Sequence, residues 1–426
     1  MDSSNGNSIA QVGSPKWNGN AAAFGFEGCS RAVYPRRSLI QIMKTLLALC
    51  FLATAALAAD LPQPKFRAVD VDKAVNIGYG LAIADVDGDK RPDILLADQK
   101  TIQWYQNPTW KKHVIAENLT PQDNVCIAAV DIDGDGKCEV AVGAGWNPGD
   151  TVNSGAVFYL VAPQDRTQKW ESVKLPHEPT VHRMHWIKNP AGKFELIVKP
   201  LHGRGNKGNE GAGGRVLAYS VPADLKGEWK TTVVSDALHA SHNFQPINWD
   251  KDPEHELILG AKEGLFWFGQ STGAWKRRQL GTNWVGEVRD GKLPGGGRFI
   301  ATIEPMHGVV AALYTEPVGG KGLWNRTALD EALKDGHAVG VADFLGAGSD
   351  QVVVGWRGMS PKGVPGIKLF APLDKDGKQW RATMVATDEV AVEDLKVADL
   401  NGDGRPDIIA AGRQTKNLKV FFNELK

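Results

Sequence analysis

The sequence predicts an all-β protein, a seven-bladed β-propeller made of four-stranded antiparallel blades. Two sets of short, β-branched and aromatic-rich segments each recur seven times along the chain. A third set recurs six times, and its seventh copy lies at the opposite end. No segment shows the sustained 3.6-residue period that a long amphipathic helix would give. With an inner strand before each acidic turn, every unit has four strands, as a propeller blade does.

The third set is recognised by an aromatic residue that opens a polar–apolar strand. Its members begin at Trp110, Trp170, Trp229, Trp275, Trp324 and Trp380, and Phe66 opens the displaced copy, KFRAVDVD. The last unit ends after NLKVFFNE without such a strand. We therefore expect the N-terminal strand to pair into the last blade and close the ring, which removes an exposed edge. A linear β-solenoid would not need one unit divided between both ends.

The other two sets recur in step with this third set along the chain. One reads DILLAD, EVAVGA, ELIVKP, ELILGA, FIATIEP, QVVVGW and DIIAAG. The other reads IQWYQNP, AVFYLVAP, RVLAYSVP, GLFWFGQ, VVAALYTEP, GIKLFAPL and NLKVFFNE. We interpret them as the second and third strands of each blade.

The region before the propeller reads as a targeting segment. Residues 43–59, MKTLLALCFLATAALAA, have one Lys, a short apolar run and small residues, as in a secretory signal peptide. We interpret residues 1–42 as a disordered upstream extension and 60–426 as the propeller. The alternative is that Met1 is the true start and the apolar run is an anchor. The first interpretation predicts a periplasmic or secreted protein without a membrane partner after cleavage.

Charge and cysteine content indicate which partners and which covalent links to expect. The chain has 49 basic and 49 acidic residues, so no basic face is indicated and nucleic acid is not an expected partner. Cys126 and Cys138 flank one turn, and strand pairing would separate them by about 20 Å. A disulfide needs Cα atoms within about 7 Å, so we expect free thiols.

Acidic turns recur between the first and second strands. VADLNGDGRPDIIAAG, IADVDGDKRPDILLAD and AVDIDGDGKCEVAVGA place oxygen-bearing side chains at alternate positions, which suits the six to eight oxygen ligands of Ca²⁺. These turns resemble the FG-GAP-type calcium loops of integrin-like propellers. The expected ligands are Asp85, Asp87, Asp89, Asp93, Asp131, Asp133, Asp135, Glu139, Asp399, Asn401, Asp403 and Asp407. A copy at Asp250 is partial, and the copy at Asp343 has lost the pattern. We expect structural calcium, with metal-free turns or catalytic ions as alternatives.

Candidate functional residues lie where the strand ends should converge around the channel. The catalytic candidates are Tyr79, His182, His242 and His337. The candidates for substrate binding are His202, Arg204, Trp284, His307, Arg357 and Glu393. A ring of His, Arg and carboxylate groups suits acid–base chemistry, and it could also hold a divalent metal that polarises a carbonyl. The reaction it suggests is β-elimination from a sugar, and a merely polar channel lining is the alternative.

A more specific resemblance rests on VHRMHW, KPLHGRGN, HASHNFQ and EPMHG. These segments resemble the propeller portion of the aldos-2-ulose dehydratases. The resemblance implies a metal-assisted lyase that acts on keto-sugars or ketoglycosides, with His182, His242 or His337 as acid, base or ligand. The chain has no length for the additional domains of that family, so only the elimination step would carry over. Propeller lyases acting on uronate polymers such as ulvan are a second resemblance.

Two other classes of function use a propeller. A noncatalytic, calcium-stabilised propeller would bind glycan or protein through the same face. A quinone-dependent dehydrogenase is disfavoured, because the Trp repeats lack the docking pattern expected of it and no C-x-x-C-H haem motif is present. The sequence leaves the substrate, the channel metal and the oligomeric state open.

Overall fold

The computed structural model describes residues 61–271, 273–359 and 361–425. Within them, 28 β-strands form seven separate four-stranded antiparallel sheets. The inner strands are β2 (Gly80–Ala84), β6 (Cys126–Val130), β10 (Val181–Lys188), β14 (Ser241–Ile247), β18 (Glu287–Lys292), β22 (Gly336–Ala342) and β26 (Val392–Ala398). The second strands are β3 (Asp93–Ala97), β7 (Glu139–Ala144), β11 (Phe194–Pro200), β15 (Glu256–Ala261), β19 (Arg298–Glu304), β23 (Gln351–Trp356) and β27 (Asp407–Gly412). The predicted signal peptide and upstream extension lie outside the described residues.

The two outer positions of each blade complete the sheets. The third strands are β4 (Thr101–Gln106), β8 (Ala156–Val161), β12 (Gly214–Ser220), β16 (Gly264–Ser271), β20 (Val310–Thr315), β24 (Gly366–Pro372) and β28 (Asn417–Asn423). The fourth strands are β5 (Lys111–Glu117), β9 (Glu171–Leu175), β13 (Thr231–Leu238), β17 (Ala274–Gly281), β21 (Asn325–Asp330), β25 (Trp380–Thr387) and β1 (Phe66–Asp72). Blade one is β2–β5, and the blades follow in chain order to blade seven, which is β26–β28 with β1.

The ring closes as the sequence predicts. β1 pairs antiparallel with β28, with Phe66 opposite Asn423 and Val69 opposite Val420. Each inner strand contacts the inner strands of both neighbouring blades, and β2 of blade one contacts β26 of blade seven. The N-terminal strand therefore covers the outer edge of blade seven and ties the two ends together. The predicted seven-bladed propeller is confirmed.

The blades are held together by apolar layers between neighbouring sheets. Second strands are buried on both faces, as in Ile94 to Ala97 and Val352 to Val354. The repeated tryptophan contributes to these layers: Trp229 of blade three lies 5.1 Å from the ring of Tyr159 in blade two. Its indole Nε1 donates to the Leu225 carbonyl at 3.0 Å, so burial leaves no unpaired donor. Cys126 and Cys138 are buried free thiols, as predicted. Among the described residues, no helix has the length and apolarity to cross a bilayer.

Candidate functional site

The site begins with an irregularity shared by four inner strands. The ladder to the second strand skips a position between Val181 and Arg183, between Ser241 and Phe244, between Gly336 and Ala338, and between Val392 and Asp394. The skipped positions include His182, His242, His337 and Glu393. A bulged residue is released from the regular alternation of the strand, so its side chain can be re-aimed. Blades three, four, six and seven thus each supply one candidate side chain at the same end of the channel.

Four imidazoles meet there. His307, from the loop between β19 and β20, joins the three bulge histidines. The ring centroids are 4.6 Å apart for His182 and His242, 4.6 Å for His242 and His307, and 4.4 Å for His307 and His337. One ring nitrogen from each of His242, His307 and His337 lies within 4.8 Å of the others. The sevenfold fold therefore brings together residues separated by up to 155 positions in sequence.

Hydrogen bonds fix where the protons lie on two of these rings. Arg357 Nη2 lies 3.1 Å from His307 Nδ1, His307 Nε2 lies 2.8 Å from His242 Nε2, and His242 Nδ1 lies 2.8 Å from Glu287 Oε1. A guanidinium only donates and a carboxylate only accepts. His307 must therefore accept at Nδ1 and donate from Nε2, and His242 must accept at Nε2 and donate from Nδ1. The chain from Arg357 to Glu287 runs in one direction with both imidazoles neutral.

Burial keeps the cluster uncharged. Desolvation, helped by the neighbouring His242 and Arg357, lowers the pKa of His307 to about 2. Desolvation also holds the pKa values of His182, His242 and His337 well below the ordinary value, with Arg183 or Arg357 adding to the effect. At neutral pH these rings offer lone pairs and N–H groups rather than positive charge.

A buried ion network supports the cluster from one side. Arg357 donates to both carboxylate oxygens of Asp335, at 2.9 Å each, and to Glu393 Oε2 at 3.0 Å. Arg413 binds the other Glu393 oxygen at 2.8 Å. Asp335 takes a positive φ of 69° immediately before β22, a conformation that Asp tolerates better than most residues. This network orients Arg357 toward His307.

The cluster forms the floor of a pocket of about 270 Å³ at the channel mouth. Trp146 stacks on His182 at 4.8 Å between ring centroids, and Arg413 lies 5.4 Å from the Tyr79 ring. The Tyr79 hydroxyl donates to Asp123 at 3.1 Å, and burial raises the pKa of Tyr79 to about 12. The lining residues are Tyr79, Trp146, Pro148, His182, Arg183, His307, His337, Arg357, Met359, Glu393 and Arg413.

Most candidate residues from the sequence meet at this pocket, and three lie elsewhere. Tyr79, His182, His307, His337, Arg357 and Glu393 line it, with His242 directly beneath. Arg204 instead binds the Val152 carbonyl at 2.9 Å and Glu178 at 3.4 Å. His202 is held through its backbone by Thr180, and Trp284 lies in the segment just before β18.

The lining residues that sequence reasoning did not select include Arg183, Trp146 and Met359. Arg183 lies inside VHRMHW, between two candidate histidines. Trp146 follows β7 just as Trp356 ends β23, so the end of the second strand was an available signal. Met359 lies in a loop that shows no comparable pattern.

The donor set can be compared with that of a metal site. His242 and His337 fit, because their Nδ1 atoms face oxygen acceptors, Glu287 and the Glu393 carbonyl, and leave Nε2 as a lone pair. His307 does not fit in this arrangement, since its Nε2 carries the proton that Arg357 forces there. In this arrangement His337 Nε2 is the free imidazole lone pair, and His242 Nε2 would become available only if the hydrogen bond from His307 were broken.

The acidic turns lie at the far ends of the inner strands. Three groups of carboxylates are spaced for an ion: Asp85, Asp87 and Asp93; Asp131, Asp133 and Glu139; Asp250, Asp252 and Glu256. The last uses Glu256, which the sequence reading had not included. Desolvation, with the nearby carboxylates adding to it, raises the pKa of Asp93 and of Glu139 to about 7. A bound cation would relieve this repulsion, so the first two predicted turns fit calcium.

Two other turns show how the loop shape persists with fewer acids. In blade seven, Asp403 pairs with Arg405 at 2.7 Å, and Asp399 accepts the Gly402 and Gly404 amides. In blade six, Asp343 accepts the Ala347 and Gly348 amides, although Leu345 stands where blade one has Asp87. The first Asp thus shapes the turn whether or not the later acids are present.

Comparison with known proteins agrees with the fold and the turns. Residues 85–142 match the model of the FG-GAP-like repeat. A search of curated proteins gave no match. A chain in the crystal structure of the mitotic checkpoint complex is similar at TM-score 0.54 and 13% identity, covering 96% of this chain and 100% of that one. A chain in the structure of BBS1N in complex with ARL6DN is similar at TM-score 0.50 and 13% identity, covering 84% and 95%.

A lectin from Agrocybe aegerita, whose structure shows recognition of non-reducing terminal N-acetylglucosamine, is similar at TM-score 0.45 and 11% identity over 72% of this chain and 80% of the lectin. The two structures at TM-scores of 0.54 and 0.50 are 13% identical to this chain, so they show similarity of fold alone. The chain therefore contains an FG-GAP-like repeat within a seven-bladed propeller.

Proposed function

We propose that the protein is an exported carbon–oxygen lyase that performs β-elimination on a keto-sugar, ketoglycoside or uronate in the axial pocket. The observation that carries this proposal is the convergence of neutral His242, His307 and His337 under a pocket lined by Tyr79, Trp146 and Arg413. A pocket of about 270 Å³ lies just below the range typical of small-molecule sites, which suits a single sugar ring.

The residues divide naturally into a base and an acid. His337 donates Nδ1–H to the Glu393 carbonyl, so its Nε2 lone pair is available to remove a proton. Because burial, with Arg357 adding to it, holds the pKa of His337 low, it is a weak base and needs an acidic C–H beside a carbonyl or carboxyl group. The C–H electron pair forms the C=C bond as the C–O bond breaks. Tyr79, whose raised pKa keeps its hydroxyl protonated, gives the proton to the leaving oxygen.

A divalent metal would add to this chemistry when bound. His242 and His337 would hold it through Nε2, and its contribution would be to polarise the substrate carbonyl. In that state His337 would be a ligand, and the role of base would pass to another group. Arg413, which has one carboxylate partner, would bind a substrate hydroxyl or carboxylate by its fork of N–H groups.

The experiment is a product assay with matched variants. Keto-sugars, ketoglycosides and uronate polymers are offered with Mg²⁺, Mn²⁺ or Zn²⁺, and the unsaturated product is followed by its new ultraviolet absorbance. His337→Gln and Tyr79→Phe should each lower the rate by roughly 10²–10⁴-fold. His177→Gln, outside the pocket lining, should leave it unchanged. Absence of product across the whole panel would refute the lyase proposal.

A noncatalytic glycan-binding role is the second candidate, and the aromatic wall favours it. Trp146 and Tyr79 present aromatic surface at the pocket mouth whether or not the histidines react. Titration calorimetry would then show saturable glycan binding that Trp146→Ala weakens and His337→Gln leaves intact. Export is tested separately by sequencing the N-terminus of the mature protein, which should begin near Ala59.

A further inference from the structure

A second, smaller cavity lies in the channel below the histidines. Its volume is about 20 Å³, and charged residues from blades three, five and seven surround it. Blades one and two contribute the small residues Gly80 and Cys126 at the same level, which leaves the space open. The charged and polar residues lining it are Arg183, His185, Asn243, Arg289, Asp394 and Lys396.

The charges around this cavity do not balance. Lys396 donates to both Asp394 oxygens, at 2.9 and 2.8 Å, so this pair cancels. Asp394 also accepts the Leu81 amide at 2.7 Å and the Leu395 amide at 2.8 Å, so its carboxylate is fully engaged. The nearby Glu287 is engaged by His242 and Asn243. Two guanidinium groups remain, those of Arg183 and Arg289.

Neither guanidinium has a carboxylate partner within the described residues. Arg183 Nη1 donates to the His182 carbonyl at 3.0 Å, and Arg289 Nη1 donates to the Val288 carbonyl at 2.6 Å. Each guanidinium has five N–H donors, so most of its capacity is unused by these bonds. Because both side chains line the cavity, the spare donors have that space before them. Both side chains are half-buried, and a water molecule in the cavity would solvate their charge without neutralising it.

We propose that the axial cavity binds one small inorganic anion, of the size of chloride, between Arg183, Arg289 and Lys396. A volume of about 20 Å³ is near the space that one water-sized particle needs, so it excludes sulfate, phosphate and sugar carboxylates. The anion offsets the two arginines directly beneath the neutral histidines. This site shares Arg183 with the pocket above, and it does not depend on the proposed lyase activity.

Thermal unfolding in matched salts provides the first test. The protein is heated in sodium chloride and in sodium gluconate at equal ionic strength, with calcium in both buffers. Chloride should raise Tm by roughly 3–6 °C, as a ligand well above its Kd would. Arg289→Gln should lose this increment, whereas Arg277→Gln, on an exposed outer strand, should keep it. Equal Tm values for the wild type in both salts would overturn the proposal.

Crystallography on the wild type provides the second test and does not depend on a variant that folds. Crystals grown in sodium bromide should show one anomalous peak within about 3.5 Å of the Arg183 and Arg289 guanidinium nitrogens. Density at that position without anomalous signal would identify water and refute the anion site.

Discussion

The buried histidines predict a steep loss of stability in mild acid. Five of them remain neutral in the folded protein, because desolvation lowers the pKa of His185 to about 3 and of His307 to about 2, and holds the others well below 6.5. The five are His182, His185, His242, His307 and His337. In the unfolded chain each would titrate near pH 6.5. Above that pH both states are neutral and the full stability is present. Below it only the unfolded chain takes up protons, so stability falls.

The size of the loss follows from the unfolded pKa alone, provided that the folded values stay below the working pH. Between pH 7 and pH 5 each histidine removes about 2 kcal/mol, and five remove roughly 10 kcal/mol from the free energy of unfolding. That approaches the whole stability of an ordinary domain, about 5–15 kcal/mol. We therefore expect acid unfolding near pH 5 in the presence of calcium.

The acidic turns act with the opposite sign when they hold no ion. Asp93 and Glu139, with pKa values of about 7, and Asp407, at about 6, take up protons in the folded state before the unfolded chain does. Their protonation adds roughly 6 kcal/mol to the free energy of unfolding between pH 7 and pH 5. A bound cation would keep them ionised and remove this gain. The loss should thus be clearly smaller in chelator than in calcium.

Urea unfolding followed by tryptophan fluorescence at pH 8, 7, 6 and 5 measures both effects. His185→Gln should reduce the loss between pH 7 and pH 5 by about 2 kcal/mol, one fifth of the total. His177→Gln, outside the channel, is the matched control. A calcium-loaded protein whose free energy of unfolding changes by less than about 2 kcal/mol over this range would refute the idea that the channel histidines are neutral.

Two further predictions concern single side chains. Arg357→Met should lower the free energy of unfolding, measured in urea at pH 7, by about 3–5 kcal/mol, because the Asp335 and Glu393 carboxylates stay buried without their shared cation. The control Arg67→Met removes an exposed ion pair and should lower it by less than about 1 kcal/mol. Asp87→Asn should reduce the increase in Tm that calcium produces, because Asp87 is an expected ligand. Asp343→Asn in blade six should lower Tm by the same amount in calcium and in chelator, because Asp343 only shapes its turn. An equal calcium response in the two variants would contradict the assignment of ligands.

The fold was predictable because each blade of the propeller corresponds to one copy of a sequence repeat. Alternation with period two marks each strand, and the displaced Phe66 strand identifies the closing blade. The meeting of His182, His242 and His337 was also foreseeable, because equivalent positions of a circular repeat converge on the axis. Calcium-type turns are readable in the same way, since their ligands lie close together in sequence.

The remaining features depend on pairings that no local pattern reveals. Whether Arg204 enters the pocket depends on Glu178 and the Val152 carbonyl, which hold it at a distance from the axis. The proton positions on His307 follow from Arg357, fifty residues away. The β-bulges are defined by skipped ladder partners, and these exist only once both strands are paired. Sequence spacing predicted at which end of the channel the candidate residues lie. Tertiary contacts determine which of their side chains reach the pocket.

The acidic turns and the histidine cluster lie at opposite ends of the inner strands. A metal ion at the turns and a metal ion at the histidines would therefore have different roles. In blade four, His242 and Asp250 are eight residues apart along an extended strand, or about 26 Å. An ion in that turn cannot touch a substrate in the pocket, so its loss can affect turnover only by loosening the blades. A chelator that lowers Tm together with activity would therefore indicate the turns. A chelator that abolishes turnover while Tm stays constant would require an ion at the axis, with His337 as a ligand and His242 as a second one once its hydrogen bond from His307 is broken.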